Sequence, residues 1–402
     1  MDRIEGVVRA YDWGSRDAIP ELLHLQQTGD PIAELWFGAH PDAPSPLLPT
    51  ADKRHGRNLH HMIANDPKGT LGQDVVSRFG GRLPYLLKLI APARALSLQV
   101  HPSLEVARTQ FAREEDAGIA LTAPNRNYRD DNHKPELVVA LQTFQALCGF
   151  RAPRRAVELL EGLDAAVAQR LWTILHGDPS PTGMRTAFSM LLEEDSRPTE
   201  SEIADFAAAC ADRLLGTSPS PRADSTVVTL LEEHPGDPGV VASLLLNPVT
   251  LQPGEALFVP SGCVHAYLRG LGIEIMASSD NVLRAGLTTK HVDVPETLRL
   301  VDYVAAPPIR LAPEMSHDHT RMFHAPVDDF DLAITNLTGE TRSSLPLAGS
   351  GPRVLLCIDG ELTLTSARGT LTLRLGDSAF VRADDGGLVV QGSGTLVQAG
   401  VP

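Results

Sequence analysis

Ala95-Leu-Ser-Leu-Gln-Val-His-Pro102 places a hydroxyl, an amide and an imidazole two residues apart inside an otherwise apolar run. In an extended strand alternate side chains share a face, so Ser97, Gln99 and His101 point one way while Leu96, Leu98 and Val100 face a core. Three groups able to bind a metal or a ligand on a single face make this strand one wall of a site.

The flanking text is of the same kind. From residue 3 to 102 short apolar segments are broken by Gly, Pro and polar clusters, among them Tyr11-Asp-Trp-Gly-Ser15 and Glu34-Leu-Trp-Phe-Gly-Ala-His-Pro41, the texture of strands and turns. One helix is expected near His55 to Asn65. Leu83-Pro-Tyr-Leu-Leu-Lys-Leu-Ile90 reads as a strand interrupted by Lys88; taken alone, that lysine is a strand-end residue snorkelling to solvent. Downstream, Leu104 to Glu115 has helical apolar spacing, and the polar loop Asn125 to His133 leads into Lys134-Pro-Glu-Leu-Val-Val-Ala-Leu141. Lys134 and Glu136 share a face at the head of this β-branched run, where Pro135 is tolerated. Taken alone, they are a solvent-facing ion pair of little consequence.

Residues 151 to 225 change character, with 3.6-type apolar spacing between Pro/Gly/Ser breaks, and read as a helical insertion in a mostly β chain. Strand patterns then resume. Pro253-Gly-Glu-Ala-Leu-Phe-Val-Pro-Ser-Gly-Cys-Val-His265 resembles the second motif of cupins, in which PG-(x)5-P-(x)4-H supplies a metal-ligating histidine from a barrel strand. Near the C-terminus Leu375-Gly-Asp-Ser-Ala-Phe-Val-Arg382 parallels Gln252 to Pro260 but has no histidine after it. The fold expected is mainly β, two cupin-like jelly-roll barrels with an α-helical insertion domain. Residues 1–150 and 226–315 are expected to form a discontinuous metal-binding domain, 151–225 the insertion, and 316–402 a C-terminal cupin-like domain without a metal site.

Composition narrows the function. A formal net charge of -15 over 402 residues argues against general nucleic-acid binding, which needs a basic face. The N-terminus lacks the apolar region of a secretion signal, and no uncharged run is long enough to cross a bilayer. Four scattered cysteines without CxxC pairing fit the reduced thiols of a cytoplasmic protein. Of 35 basic residues only five are lysines, Lys53, Lys68, Lys88, Lys134 and Lys290, and three of these stand beside the motifs above.

Gln99, His101, Glu136 and His265 together offer two imidazoles, a carboxylate and a carboxamide oxygen, a set that can hold zinc with a position open for water or substrate. Lys88, Lys134, Arg284 and Lys290 surround them in sequence, and a focused positive pocket in an acidic protein suits a small anion such as a sugar phosphate. The other reading, in which these cations pair internally with Glu274, Asp280 and Asp293, stays open here.

Glu34 to Pro41, Leu96 to Pro102, Tyr128-Arg-Asp-Asp-Asn-His-Lys-Pro-Glu136 and Ser278-Ser-Asp-Asn-Val-Leu-Arg-Ala-Gly-Leu-Thr-Thr-Lys-His291 closely resemble the type I mannose-6-phosphate isomerases, over nearly the whole chain. The resemblance implies that Gln99, His101, Glu136 and His265 ligate zinc and that Arg284 is the active-site arginine, with Lys134 beside the metal. It puts Ser97, Lys88, Lys290 and Trp13 at the sugar phosphate. Departures are peripheral: Ser103-Leu104 where relatives often carry an acidic-Lys pair, and Thr289 where many have proline. The implied reaction moves a proton between C2 and C1 of an open-chain sugar through a cis-enediol, for which Glu274 is the candidate base and Asp280 stands behind it. Mannose 6-phosphate and fructose 6-phosphate are the implied small-molecule partners, and the family leans to a monomer. Two rivals are an iron dioxygenase built on His101, Glu136 and His265 alone, and a sugar-binding cupin without activity.

Overall fold

The computed structural model describes residues 1–49, 58–316, 319–337 and 344–402. Its strands form three antiparallel open sheets rather than two closed barrels. A seven-stranded sheet runs in the order Ile309–Leu311, Ala256–Val259, Glu136–Ala140, Gly272–Ala277, Tyr85–Ile90, Glu34–Phe37, Val7–Arg9. A five-stranded sheet runs Leu283–Gly286, Leu98–Val100, His265–Arg269, Phe144–Phe150, Leu246–Leu251. These two face each other, since Glu136 of the first meets His265 and Tyr267 of the second.

Each sheet is covered on its outer side as well, which is why its central strands read as almost unbroken apolar runs. Behind the five-stranded sheet, Leu98, Val100, Leu147, Leu283 and Ala285 pack on helical residues such as Leu171, Phe188 and Phe206. Behind the seven-stranded sheet, Leu87, Leu89, Leu137, Ile273 and Ile275 pack on Phe323, Leu332, Val354 and Phe380 of the C-terminal region. Sandwiched in this way, each strand commits one set of alternating side chains to an apolar outer layer and leaves the other set to line the space between the sheets.

Helices Pro153–Leu160, Ala166–Gly177, Pro181–Leu192, Glu200–Leu214 and Pro221–Glu233 form the outer layer. Three of them open with proline in the first turn, where its missing N–H is no loss. Glu200–Leu214 opens with a reciprocal capping box between Thr199 and Glu202. The boundary expected at residue 225 falls inside Pro221–Glu233, and helical turns continue to Leu245. The end of Pro221–Glu233 is tied to the site strand, because Glu233 Oε2 accepts from the Ala95 amide at 2.8 Å. The helix expected near residue 55 is Leu59–Asn65, with Asn58 capping the His61 N–H; residues 55–57 of that expectation lie outside those described.

The C-terminal region is a single nine-stranded sheet organised on two long strands, Arg353–Ser366 and Leu388–Gly400. One of its strands comes from the other end of the chain: Asp2–Ile4 pairs with Ser378–Val381, and the Met1 ammonium meets Asp385 at 2.7 Å. Assigning all of 1–150 to the metal-binding unit therefore overlooks its first strand, whose three residues are too short to betray their partner. The repeated pattern at Gln252 and Leu375 does give equivalent turns. Gly254 (φ 88°) and Gly376 (φ 85°) each sit in the left-handed region that favours glycine, just ahead of four-residue strands Ala256–Val259 and Ser378–Val381. Among the described residues no helix is long and apolar enough to cross a membrane.

Candidate metal centre

Register decides which side chains line the space between the sheets. In the five-stranded sheet Arg284 pairs with Gln99, Gln99 with His265 and His265 with Cys148, so four residues distant in sequence form one row. In the facing sheet Trp36 pairs with Lys88, Lys88 with Glu274 and Glu274 with Val138, and Glu136 shares the face of Val138 two residues earlier. Only Leu98–Val100 of the opening stretch is regular strand. Leu98 and Val100 turn to the helical layer as expected, whereas Leu96 packs on the opposite cluster between the sheets, so strict alternation does not extend to Leu96.

His101, just past the strand end, and His265, at the start of its own strand, converge on Glu136. His101 Nε2 lies 3.2 Å from Glu136 Oε1 and His265 Nε2 lies 3.3 Å from Glu136 Oε2. Each ring is held from behind: His101 Nδ1 donates to the Asn281 carbonyl at 2.8 Å and His265 Nδ1 to the Cys263 carbonyl at 3.0 Å. A carbonyl can only accept, so both protons reside on Nδ1 and both Nε2 lone pairs aim at the same point. Burial pulls His101 down to about 4, so it is neutral and free to ligate. Burial also opposes charge on His265, but Glu136 outweighs it and holds this imidazole above its ordinary value.

Glu136 itself is buried, yet Lys134, at 3.0 Å from Oε1, together with His101 and His265, keeps it well below the usual carboxylate range. The Lys134–Glu136 pair is thus internal, not the solvent-facing pair that the local sequence suggests. Tyr267 adds a hydrogen bond to Glu136 Oε2 at 3.2 Å. Ligand atoms of His101, Glu136 and His265 all lie within 4.8 Å of one another. His101 Nε2 is buried without a hydrogen-bond partner, the condition of a ligand atom whose natural partner is a cation. Two imidazole nitrogens and an ionised carboxylate form a donor set that fits zinc, and Gln99 is the neighbour of His265 in the register.

Lys88 corrects the reading of it as a snorkelling strand-end lysine. It is 5% exposed in mid-strand, 2.9 Å from Glu274 Oε2 and 3.3 Å from Glu34 Oε1, with its ammonium 5.1 Å from the Trp36 ring centre. Burial opposes its charge, but Glu274, Glu34 and Glu136 prevail and raise it above its ordinary value. Glu274 is pushed up by burial, against the pull of Lys88. The 2.9 Å approach lacks hydrogen-bond alignment, and Glu274 Oε2 has no aligned donor. Asp280 pairs with His40 Nε2 at 3.3 Å.

The open question of internal pairing is therefore answered residue by residue. Lys88 and Lys134 are paired with Glu274 and Glu136, whereas no carboxylate among the described residues lies within ion-pair distance of Arg284 or Lys290, and Asp12 acts on Lys290 only from farther away. The Arg284 guanidinium is pulled below its ordinary value by burial and then by Arg129; Lys290 is pulled down by burial, Arg284 and Arg129. These three cations are close enough to repel one another. Trp13 packs at the margin of the cluster between the sheets and stacks on Tyr11, and Ser97 is half-buried beside the Leu98–Val100 strand.

Sequence reasoning gives no role to Glu34, Tyr267, Asn281 or Arg129. Tyr267 is the most accessible of them, two residues beyond His265 and so on the same face. Glu34 is two residues before Trp36, to whose indole N–H it offers Oε2 at 2.9 Å, but its pairing with Lys88 depends on a register that no local pattern announces.

Comparison with known proteins finds relatives along the full length of the chain. Residues 1–153 match the family model of the phosphomannose isomerase type I catalytic domain, and residues 319–400 match that of the mannose-6-phosphate isomerase cupin domain. The mannose-6-phosphate isomerase of Escherichia coli (strain K12) is 36% identical over 403 residues, covering 99% of each chain. That of Rattus norvegicus is 32% identical, with 94% of this chain and 92% of the relative covered. A crystal structure of mannose 6-phosphate isomerase from Salmonella typhimurium, bound to its substrate and to zinc, superposes with a TM-score of 0.88 at 34% identity and covers 100% of this chain and 99% of its own. With relatives this similar along their whole length, the chain belongs to the type I mannose-6-phosphate isomerase family.

Proposed function

We propose that the chain is a zinc-dependent aldose-ketose isomerase that interconverts mannose 6-phosphate and fructose 6-phosphate. The observation that carries this reading is the convergence of two back-bonded histidines on the buried Glu136, with His101 Nε2 left without a partner. His101, Glu136 and His265, with Gln99, would hold the ion. When bound, zinc supplies Lewis-acid polarisation of the sugar oxygens.

The protein groups do the rest. A proton leaves C2, is held by a carboxyl and is returned to C1, through a cis-enediol. Glu274 is the base we assign, with Asp280 as the second candidate. Burial raises Glu274 towards the range useful for proton transfer at neutral pH, and Lys88 fixes its position. Arg284 and Lys134 face the negative charge that develops on the enediolate oxygens. We assign the phosphate to the mutually repelling Arg284, Arg129 and Lys290, with Ser97 and Trp13 as further candidate contacts. Lys88, committed to two carboxylates, serves Glu274 rather than the phosphate.

We further propose the division into a metal-binding cupin-like unit, a helical insertion and a C-terminal cupin-like unit, working as a monomer in the cytoplasm on a small sugar phosphate. The acidic net charge supports the absence of a nucleic-acid partner. An assay coupled to fructose 6-phosphate formation tests the activity. Turnover with bound zinc is the expected result. No turnover in the zinc-loaded protein, or oxygen uptake with stoichiometric iron, would defeat it, the latter in favour of the dioxygenase reading.

A further inference from the structure

Both unpaired Arg284 and the Lys134–Glu136 segment leave the same knot of polar residues, and one side chain lies at its centre. Asn281 is completely buried. Its Oδ1 accepts from the Arg129 amide at 2.7 Å and from the Asp130 amide at 3.3 Å. Its Nδ2 donates to the Asp130 carbonyl at 2.8 Å, the Asn132 carbonyl at 2.8 Å and Asp130 Oδ1 at 3.2 Å. Its own carbonyl is the acceptor for His101 Nδ1. An amide has two lone pairs and two N–H groups, so this one is saturated, entirely by the 129–132 loop.

The surrounding bonds close the same two loops on each other. Ser279 Oγ donates to Asp130 Oδ1 at 2.8 Å, the Asp280 amide donates to Asp130 Oδ2 at 2.7 Å, and Asn132 Nδ2 donates to the Ser278 carbonyl at 3.2 Å. From this staple the 129–132 loop runs two residues to Lys134 and four to Glu136, while the other loop runs three residues to Arg284. The two cations that meet the reacting sugar thus approach from opposite loops, and the metal ligand His101 is oriented from the residue that joins them.

We infer that Asn281 is a positioning residue: through its carboxamide it fixes Arg129 and Lys134 relative to Arg284, and through its carbonyl it fixes the tautomer and direction of His101. The inference rests on the isomerase reading of the site. Truncating the side chain leaves the carbonyl in place, so the two functions separate. Metal binding persists and substrate handling suffers, because a shift of about 1 Å in a charged group is enough to lower turnover by up to about 100-fold.

The test uses the zinc-loaded full chain with Asn281→Ala, and reads hydrogen exchange at the Arg129 and Asp130 amides, zinc affinity, and KM and kcat per bound zinc for mannose 6-phosphate. Expected are exchange at these amides faster by about tenfold or more, a KM higher by about tenfold, and a zinc dissociation constant within about threefold of the parent. If that variant does not fold, Asn281→Asp keeps the volume and the carbonyl while setting a charge against Asp130, and the same shift in KM and kcat is expected. Unchanged KM and kcat per zinc with only a lower melting temperature would overturn the inference, as would activity lost in proportion to zinc. An inactive parent would instead defeat the isomerase reading, while faster exchange would still establish the staple.

Discussion

Two β units in this molecule share a turn and a strand pattern and differ in what they enclose. Gly254 and Gly376 open equivalent turns, but the space beyond the first holds Glu136, His101, His265, Lys88 and Glu274. The interior of the C-terminal sheet holds Leu337, Leu355, Leu362, Leu364, Leu373 and Leu396. Buried ionised groups are destabilising unless every one is partnered, and even then an apolar substitute of the same shape is often as stable. The C-terminal unit, mostly apolar although it too buries Arg353 and Asp385, illustrates the simpler solution. The polar unit keeps its charges in a form the fold does not require, and this excess is where chemistry is to be sought.

Substitutions can break that comparison, beginning with the largest effect. Glu136→Ala removes the carboxylate on which both histidines converge; turnover should fall by well over 100-fold, beyond the loss of an outer-shell partner, and zinc measured by elemental analysis should fall with it. Retention of stoichiometric zinc would break the assignment. Arg284→Ala, one strand from Gln99, should lower kcat by about 100-fold and leave zinc content unchanged, since among the described residues its guanidinium makes no hydrogen bond or ion pair to His101, Glu136 or His265. Zinc loss in that variant would contradict its place at the sugar.

Stability sharpens the contrast. Lys88→Met strands Glu34 and Glu274 without their cation and should destabilise the chain by about 3–5 kcal/mol in denaturant unfolding, with activity impaired as well. Leu362→Ala opens a hole in the apolar unit and should cost about 2–5 kcal/mol, yet kcat per folded, zinc-loaded molecule should stay at the parent value. Equal loss of kcat in both would erase the distinction between the units.

The smallest effect belongs to a surface control in the helical layer. Glu202 is held below its ordinary value, first by the Thr199 amide and then by its hydroxyl and Arg170. A depressed carboxyl stabilises the fold above its unfolded value, about 4.3, and loses that contribution as the pH falls through its folded value. The slight difference in melting temperature between the parent and Glu202→Gln should therefore vanish on acidification, and a difference that grew would reverse the sign.

Legibility in the sequence follows the range of the interactions. His101, Glu136 and His265, which the fold brings within 4.8 Å of one another, are each singled out by short, fixed spacings: His265 after Pro253-Gly254, His101 two residues after Gln99, and Glu136 two after Lys134. The β class and the helices from 153 onward are legible from periodicity. Lys88 is misread in isolation because its partners, Glu34 and Glu274, lie on neighbouring strands, and only the register brings them together. Asp2–Ile4 is misplaced for the same reason, its partner strand lying at the far end of the chain. Asn281 escapes notice because nothing in a single asparagine reveals that its amide is filled by residues 129–132.

The central claim is that the polar interior exists to hold one zinc ion for isomerisation. Titrating zinc into metal-depleted protein while following fructose 6-phosphate formation from mannose 6-phosphate measures it directly. Activity should rise linearly and level off at one zinc per chain, and a parallel titration of His265→Ala should stay flat. Full turnover before zinc is added, or a His265→Ala protein as active as its parent, would contradict it.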